Sequence, residues 1–172
     1  MALALLLSGH GGLFAQNAAA KEYQIKAAFL YNFAQFVEWP AEMFPDPQGP
    51  LVIGILGQDP FGATLDEIVQ GEKVNNHPLA VQRFSRPEEI KNCHVLFVSQ
   101  SEAGRLDKIF ASQKNRSVLT VGDFEGFALH GGVIRFITEQ NKIRLRINLE
   151  AAKSANLTIS SKLLRIADVD RQ

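Results

Sequence analysis

Arg135, Arg144 and Arg146 are the side chains whose types and spacing come nearest to chemistry. If Gln140-Asn141 forms a turn between extended segments at 133–138 and 142–148, Arg135 faces Arg146 across the pair and Arg144 shares their side. Directly opposed like charges destabilise a sheet unless something offsets them. Nearby carboxylates such as Glu125 and Glu150 would give a solvated, neutralised face; the sharper expectation is a site for an anion or an acidic partner. The other candidate chemistries fail on spacing. His10, His77, His94 and His130 share no metal-ligand pattern, and a lone histidine beside an apolar run, as His94 is, reads as structural. Ser99 and Ser101 lie near His94 without the GxSxG elbow of a hydrolase. Gly54, Gly57 and Gly62 do not fit GxGxxG, and no GK[ST] occurs, so a phosphate cradle is not expected. A phosphoacceptor domain would need an aspartate where Ser99-Gln100 follows VLFV. No two carboxylates are spaced for acid/base work. The expectation is a protein that is not an enzyme and takes no cofactor and no metal.

Composition agrees. Lys plus Arg number 18 and Asp plus Glu 18, so the net charge is zero, without the basic excess that nucleic-acid binding needs. Hydrophobic residues make up 46% and charged ones 21%, a balance that folds rather than remaining disordered. The single cysteine, Cys93, excludes an internal disulfide framework and a cysteine zinc cluster, and beside a buried run it reads as a small inert apolar residue.

The elements that position these residues follow from periodicity. Residues 21–39 predict a helix with Ile25, Ala28, Phe29, Asn32, Phe33, Phe36 and Val37 inward, stopped by Pro40. LVIGIL at 51–56, VLFV at 95–98 and VLTV at 118–121 are continuous apolar runs, as expected of strands buried on both faces. Residues 79–84 alternate weakly, as a further strand. Helices are expected at 61–70, 87–91 and 102–113, then at 149–155 and 159–167, with 168–172 a polar tail. Strands alternating with helices give an α/β, single-domain three-layer sandwich with a mostly parallel sheet plus a C-terminal antiparallel β-hairpin.

MALALLL at the start, followed by small residues to Ala20, has the pattern of a secretory leader without its basic region. Residues 1–20 are therefore expected to be a signal peptide or leader remnant and 21–172 the folded domain. A run of seven is far short of the ~20 apolar residues of a membrane span, so no transmembrane segment is expected.

Six segments in order resemble the YfiR-like family of exported bacterial proteins. They are AAFLYNFAQFVEWP at 27–40, GILGQDPFG at 54–62, CHVLFVSQSE at 93–102, VLTVGD at 118–123, Gly131-Gly132 before the hairpin, and INLEAAKSANLTISSKLLRIA at 147–167. The resemblance implies a periplasmic α/β domain, a homodimer, without catalytic activity. It further implies a repressor that binds the periplasmic sensory part of an inner-membrane diguanylate cyclase, lowering cyclic-di-GMP signalling and biofilm formation. An outer-membrane lipoprotein would sequester such a repressor. Two departures stand out: characterised repressors carry further cysteines and a disulfide that helps hold them active, whereas Cys93 has no partner in the chain. Arg146 also stands where the resemblance leads us to expect an acidic residue.

The partner surface is expected to combine apolar anchors around Trp39, Met43 and Phe44 with the basic strip of Arg135, Arg144 and Arg146. The alternative is a small-molecule sensor whose ligand sits at the strand exits, near 57–62, 99–102 and 122–126, with Arg165 supplying an anion contact.

Overall fold

The computed structural model describes residues 11–170. The chain starts with α1 (Gly11–Phe36), continues into β1 (Val37–Glu38) and a 3-10 turn at Ala41–Met43, and enters the sheet with β2 (Leu51–Leu56). Then come α2 (Ala63–Val69), β3 (Lys73–Val74), β4 (His77–Phe84), a 3-10 turn at Pro87–Glu89, β5 (Val95–Val98), a 3-10 stretch at Gln100–Arg105 and α3 (Leu106–Gln113). The last third is β6 (Leu119–Gly122), β7 (Ile134–Glu139), β8 (Lys142–Asn148), α4 (Leu149–Ser154), β9 (Thr158–Ile159), α5 (Ser161–Leu164) and β10 (Ala167–Asp170).

Eight strands form one sheet in the order β10-β8-β7-β6-β5-β2-β4-β3. The run from β4 to β7 is parallel, and β8 is antiparallel to β7. The mostly parallel α/β sheet with its C-terminal hairpin is thus as the apolar runs predict. Those runs are buried throughout: every residue of β2 and β5 is inside. One face of the sheet, through Ile53, Ile55, Val95, Phe97, Val121, Ile134, Phe136 and Leu145, packs on Ala27, Leu30, Phe33 and Ala34 of α1. The other face, through Leu56, Leu96 and Val98, packs on Leu106 and Ile109 of α3 and on Phe124 and Phe127. No residue of β7, β8 or β10 belongs to that second cluster. Among the described residues, the third layer therefore covers only part of the sheet.

The hairpin has the expected register. Gln140 and Asn141 have φ of 48° and 59°, both left-handed, as a two-residue turn matched to strand twist requires. That pairs Arg135 with Arg146 and Phe136 with Leu145.

Four expectations are corrected. The helix expected to run to Trp39 ends at Phe36, because Val37 and Glu38 pair with Ile159 and Thr158 and the Phe36 carbonyl accepts from Ser160 N–H. Its buried stripe is also rotated: Ala27, Leu30, Phe33, Ala34 and Lys26 are inside, Phe29 and Phe36 are half-buried, and Ile25 is 40% exposed. The helix expected over 159–167 is only Ser161–Leu164, where the Ser160 hydroxyl caps the Leu163 amide. The expected polar tail instead forms β10, which pairs parallel to β8 with Asp168 beside Arg146. This register sets a carboxylate one strand away from two opposed arginines, where opposite charge is favourable. Finally, β3 and its Asn75-Asn76 turn, both at positive φ, close one end of β4.

The apolar run at 1–7 lies outside the described residues. Residues 11–20, expected to belong to a leader, form the first turns of α1. No helix among the described residues is long and apolar enough to cross a membrane.

Candidate functional site: a basic strip beside a small cavity

β6 ends at Gly122, which lies level with Arg135 at the start of β7. The ring of Phe127 covers this junction. A Cβ on Gly122 would sit 2.6 Å from that ring and one on Gly132 2.2 Å from it, so both positions need glycine for the close approach. Phe127 is fully buried, and it anchors the loop that carries Glu125, Gly126, Ala128 and Leu129. Across from this loop stand Arg135, Arg146, Asn148 and Glu150, and the two sides enclose a cavity of about 310 Å³. Asn148 ties it together: its side-chain oxygen accepts from Ala151 N–H at the start of α4, and its amide donates to the Ala128 carbonyl at 3.4 Å.

Arg135 and Arg146 are both half-buried and line this cavity. The Nε of Arg135 is buried and has no hydrogen-bond partner among the described residues. A guanidinium with an unused, sheltered donor is suited to a carboxylate or phosphate, which it can grip through two parallel bonds. Arg144, one turn of the strand pleat away, is 62% exposed and reaches Glu139 at 3.7 Å. Leu129 at the rim is 88% exposed, and Ile166, next to β10, is 63% exposed. The strip thus joins charge with apolar surface.

The other expected anchors are elsewhere. Trp39 and Phe44 lie near the start of β5, at the opposite end of the parallel strands, and both are half-buried rather than presented to solvent. The Trp39 indole donates to the His94 carbonyl at 3.2 Å, and Phe44 stacks on His77 and His94. The structure does not bring them into one site with the arginines. Arg165 is exposed at the end of α5 and lines none of the cavities described here.

The crevice expected at the strand exits is largely filled. A Cβ on Gly57 would stand 2.5 Å from the Ser101 hydroxyl and 2.7 Å from Glu102, and Glu102 is buried and ion-paired with Arg105. The 122–126 exit does reach a cavity, the one beside Arg135, through Glu125 and Gly126. No group of three or more His, Cys, Asp and Glu among the described residues could hold a metal ion.

Two features escaped sequence reasoning. Lys26 is 2% exposed and meets Asp123 at 2.7 Å and Glu22 at 2.5 Å, with the Tyr23 hydroxyl also donating to Asp123. Burial, helped by the Asp123 charge, drives the Tyr23 hydroxyl well above its usual range. The signal available was a lysine adjoining the buried stripe of α1, which needs a partner. The second feature is the stack of Phe44 between two histidines. Cys93 is the inert buried residue its place beside an apolar run predicts: it is fully buried, with its thiol pushed up to about 12 chiefly by desolvation and donating to the Val95 carbonyl. A thiol so placed has no access to a second chain, which removes the intermolecular disulfide as a redox device in the folded protein.

Fold and site together define an α/β domain with a partly uncovered sheet and a basic strip. Residues 23–168 match the model of the YfiR/HmsC-like family, and the chain belongs to that family. It is a family of periplasmic regulatory proteins rather than enzymes. A search of curated proteins finds no match. Among solved structures, the chain is similar to the crystal structure of a conserved domain protein from Vibrio cholerae O1 biovar El Tor strain N16961. The TM-score is 0.50 at 11% identity, over 76% of this chain and 57% of that one. That likeness is one of fold.

Proposed function

We propose that the chain is a non-enzymatic periplasmic repressor. It binds the periplasmic sensory part of an inner-membrane diguanylate cyclase and lowers cyclic-di-GMP output. The observation that carries this reading is the face of β7 and β8 outside the second apolar cluster, which bears Arg135, Arg144 and Arg146, with the exposed Leu129 at the rim of the cavity that Arg135 and Arg146 line. A repressor must bind one conformation of its target better than another, and a basic strip flanked by apolar groups offers an acidic, partly apolar partner such selectivity. Export with loss of a leader, a homodimer, and sequestration by an outer-membrane lipoprotein complete the proposal.

Deletion of the gene is expected to raise cyclic-di-GMP and biofilm, and wild-type complementation to reverse both. Complementation with Arg146→Glu, which reverses the charge of the strip, is expected to leave the output high with the protein present at normal level. Unchanged cyclic-di-GMP on deletion in every growth condition would sink the repressor; full rescue by Arg146→Glu would sink the strip as its docking surface.

The unused donor of Arg135 in its cavity supports a second reading, a periplasmic sensor of a small anion. A thermal-shift screen of nucleotides and amino acids separates the two. A ligand at a hundred times its dissociation constant stabilises by about 2.7 kcal/mol, a rise of roughly 5–10 °C for a chain of this size. A flat screen favours the adaptor.

A further inference from the structure

Phe44 stands between two imidazoles. Its ring stacks on His77 with centroids 4.1 Å apart and planes at 24°, and on His94 at 4.6 Å and 18°. Trp39 closes the assembly edge-on against His94, at 6.1 Å. Phe44 is also the wall between two cavities. One, of about 470 Å³, lies on the His94 side with Met43, Pro45 and Val52. The other, of about 290 Å³, lies on the His77 side with Val37, Trp39 and Leu51.

The hydrogen bonds fix the tautomer of His94. Val52 N–H donates to His94 Nδ1 at 3.0 Å. A backbone amide can only donate, so Nδ1 carries a lone pair and the ring proton is on Nε2, which donates to the Met43 carbonyl at 3.1 Å. His77 Nδ1 lies 2.8 Å from the Gly49 carbonyl and so is a donor. Through Met43, Gly49 and the Phe44 ring, the two histidines grip the segment from 43 to 49 at both ends.

We propose that Phe44 is an acid-released gate. A second proton on His94 has to enter at Nδ1, where it meets Val52 N–H, and two donors then face each other. The bond is lost, the imidazolium turns away, the stack opens, and the two cavities join into one groove bordered by Trp39 and Leu51. The step takes up one proton and breaks no covalent bond. The groups around this ring divide in sign. Glu42 and Asp46 favour the imidazolium, and Lys91, Arg116, His77 and, beyond His77, Lys73 oppose it, with Glu38 on the far side of Phe44. Arg116 is already committed to the carbonyls of Ile90 and Lys91.

Burial holds His94 below its ordinary value of 6.5, and the charge of His77 acts in the same direction, while the Met43 bond acts against them. The unfolded or released state therefore binds the proton more readily than the closed one. The contribution of the closed gate is complete above about 6.5 and is lost as pH falls below it. The gate deepens the repressor reading by supplying an input, and it rests on that reading only for its consequence in the cell.

The test is a titration of the full chain from pH 8 to 5 by histidine nitrogen NMR, together with exchange at the Val52 amide relative to its intrinsic rate. At pH 8, His94 is expected to show a bare Nδ1 and a protonated Nε2. On acidification Val52 protection is expected to fall at least tenfold, with a midpoint below 6.5 that coincides with the His94 titration, while Leu96 and Phe97 in β5 stay protected. His94→Asn offers Val52 an acceptor that does not titrate, and is expected to keep Val52 protected to pH 5. Constant Val52 protection in the wild type overturns the gate, as does the same loss in His94→Asn or joint loss across β5. None of these results touches the repressor reading, which the deletion strain decides.

Discussion

Lys26→Met is expected to lower the stability of the fold by about 3–5 kcal/mol, seen as a fall in the thermal midpoint of about 6–20 °C. Lys26 is the cation of a buried cluster: Asp123 is 6% exposed, and Lys26 Nζ also lies 4.5 Å from the centre of the Tyr23 ring. Removing the ammonium leaves the Asp123 carboxylate in a dry site with the Tyr23 hydroxyl as its remaining side-chain donor. The loss is larger than the worth of the pair itself, because an uncompensated buried charge is what the variant creates. The double variant Lys26→Met with Asp123→Leu is therefore expected to recover most of the loss, since apolar groups of similar volume replace a buried pair at little cost. Glu22, 30% exposed, can turn to water. Urea denaturation of the two singles and the double checks this as a cycle. A single variant within 1 kcal/mol of wild type, or a double as damaged as the sum of its singles, would show that something other than the pair fixes α1 to the end of β6.

The same cluster shows why the sequence revealed some of the fold and not the rest. LVIGIL and VLFV are legible because a strand buried on both faces needs no alternation, only an unbroken apolar run. The hairpin register is legible because a two-residue turn at Gln140-Asn141 leaves one pairing, and Arg135 opposite Arg146 follows from it. The rotation of α1 is not legible. Its second half, AAFLYNFAQF, carries apolar side chains on more than one side, and what selects the Ala27–Leu30 side over Ile25 and Phe29 includes a carboxylate 97 residues away from Lys26, in Asp123. The last strand escapes for a related reason. Ala167–Asp170 has no strand pattern of its own and is extended because β8 offers it an open edge. As for the site, the arginine strip came from local spacing. The stack of Phe44 on His77 and His94 joins three separate segments, and no single stretch of sequence contains it.

Phe127→Ala is expected to cost about 3–5 kcal/mol and to dissolve the cavity beside Arg135 in the same step. The ring is fully buried, meets Phe110 and Phe124 edge-on at 5.6 and 5.5 Å, and lies against Gly122 and Gly132. It is also what fastens the loop bearing Glu125, Ala128 and Leu129 over the arginines. Hydrogen exchange and limited proteolysis between 124 and 132 are therefore expected to rise more than anywhere in α1. Binding that depends on the strip should fall by more than the global stability loss explains. Gly132→Ala approaches the ring from the other side: its added methyl would overlap Phe127, at a cost of about 1–3 kcal/mol. If contact with Phe127 is the cause, Gly132→Ala combined with Phe127→Leu will cost less than the two separately, because the smaller side chain leaves room for the methyl. Strict additivity would locate the glycine's role in the backbone instead. That outcome would detach the cavity from the aromatic cluster, and the basic strip would then have to be held by the hairpin alone.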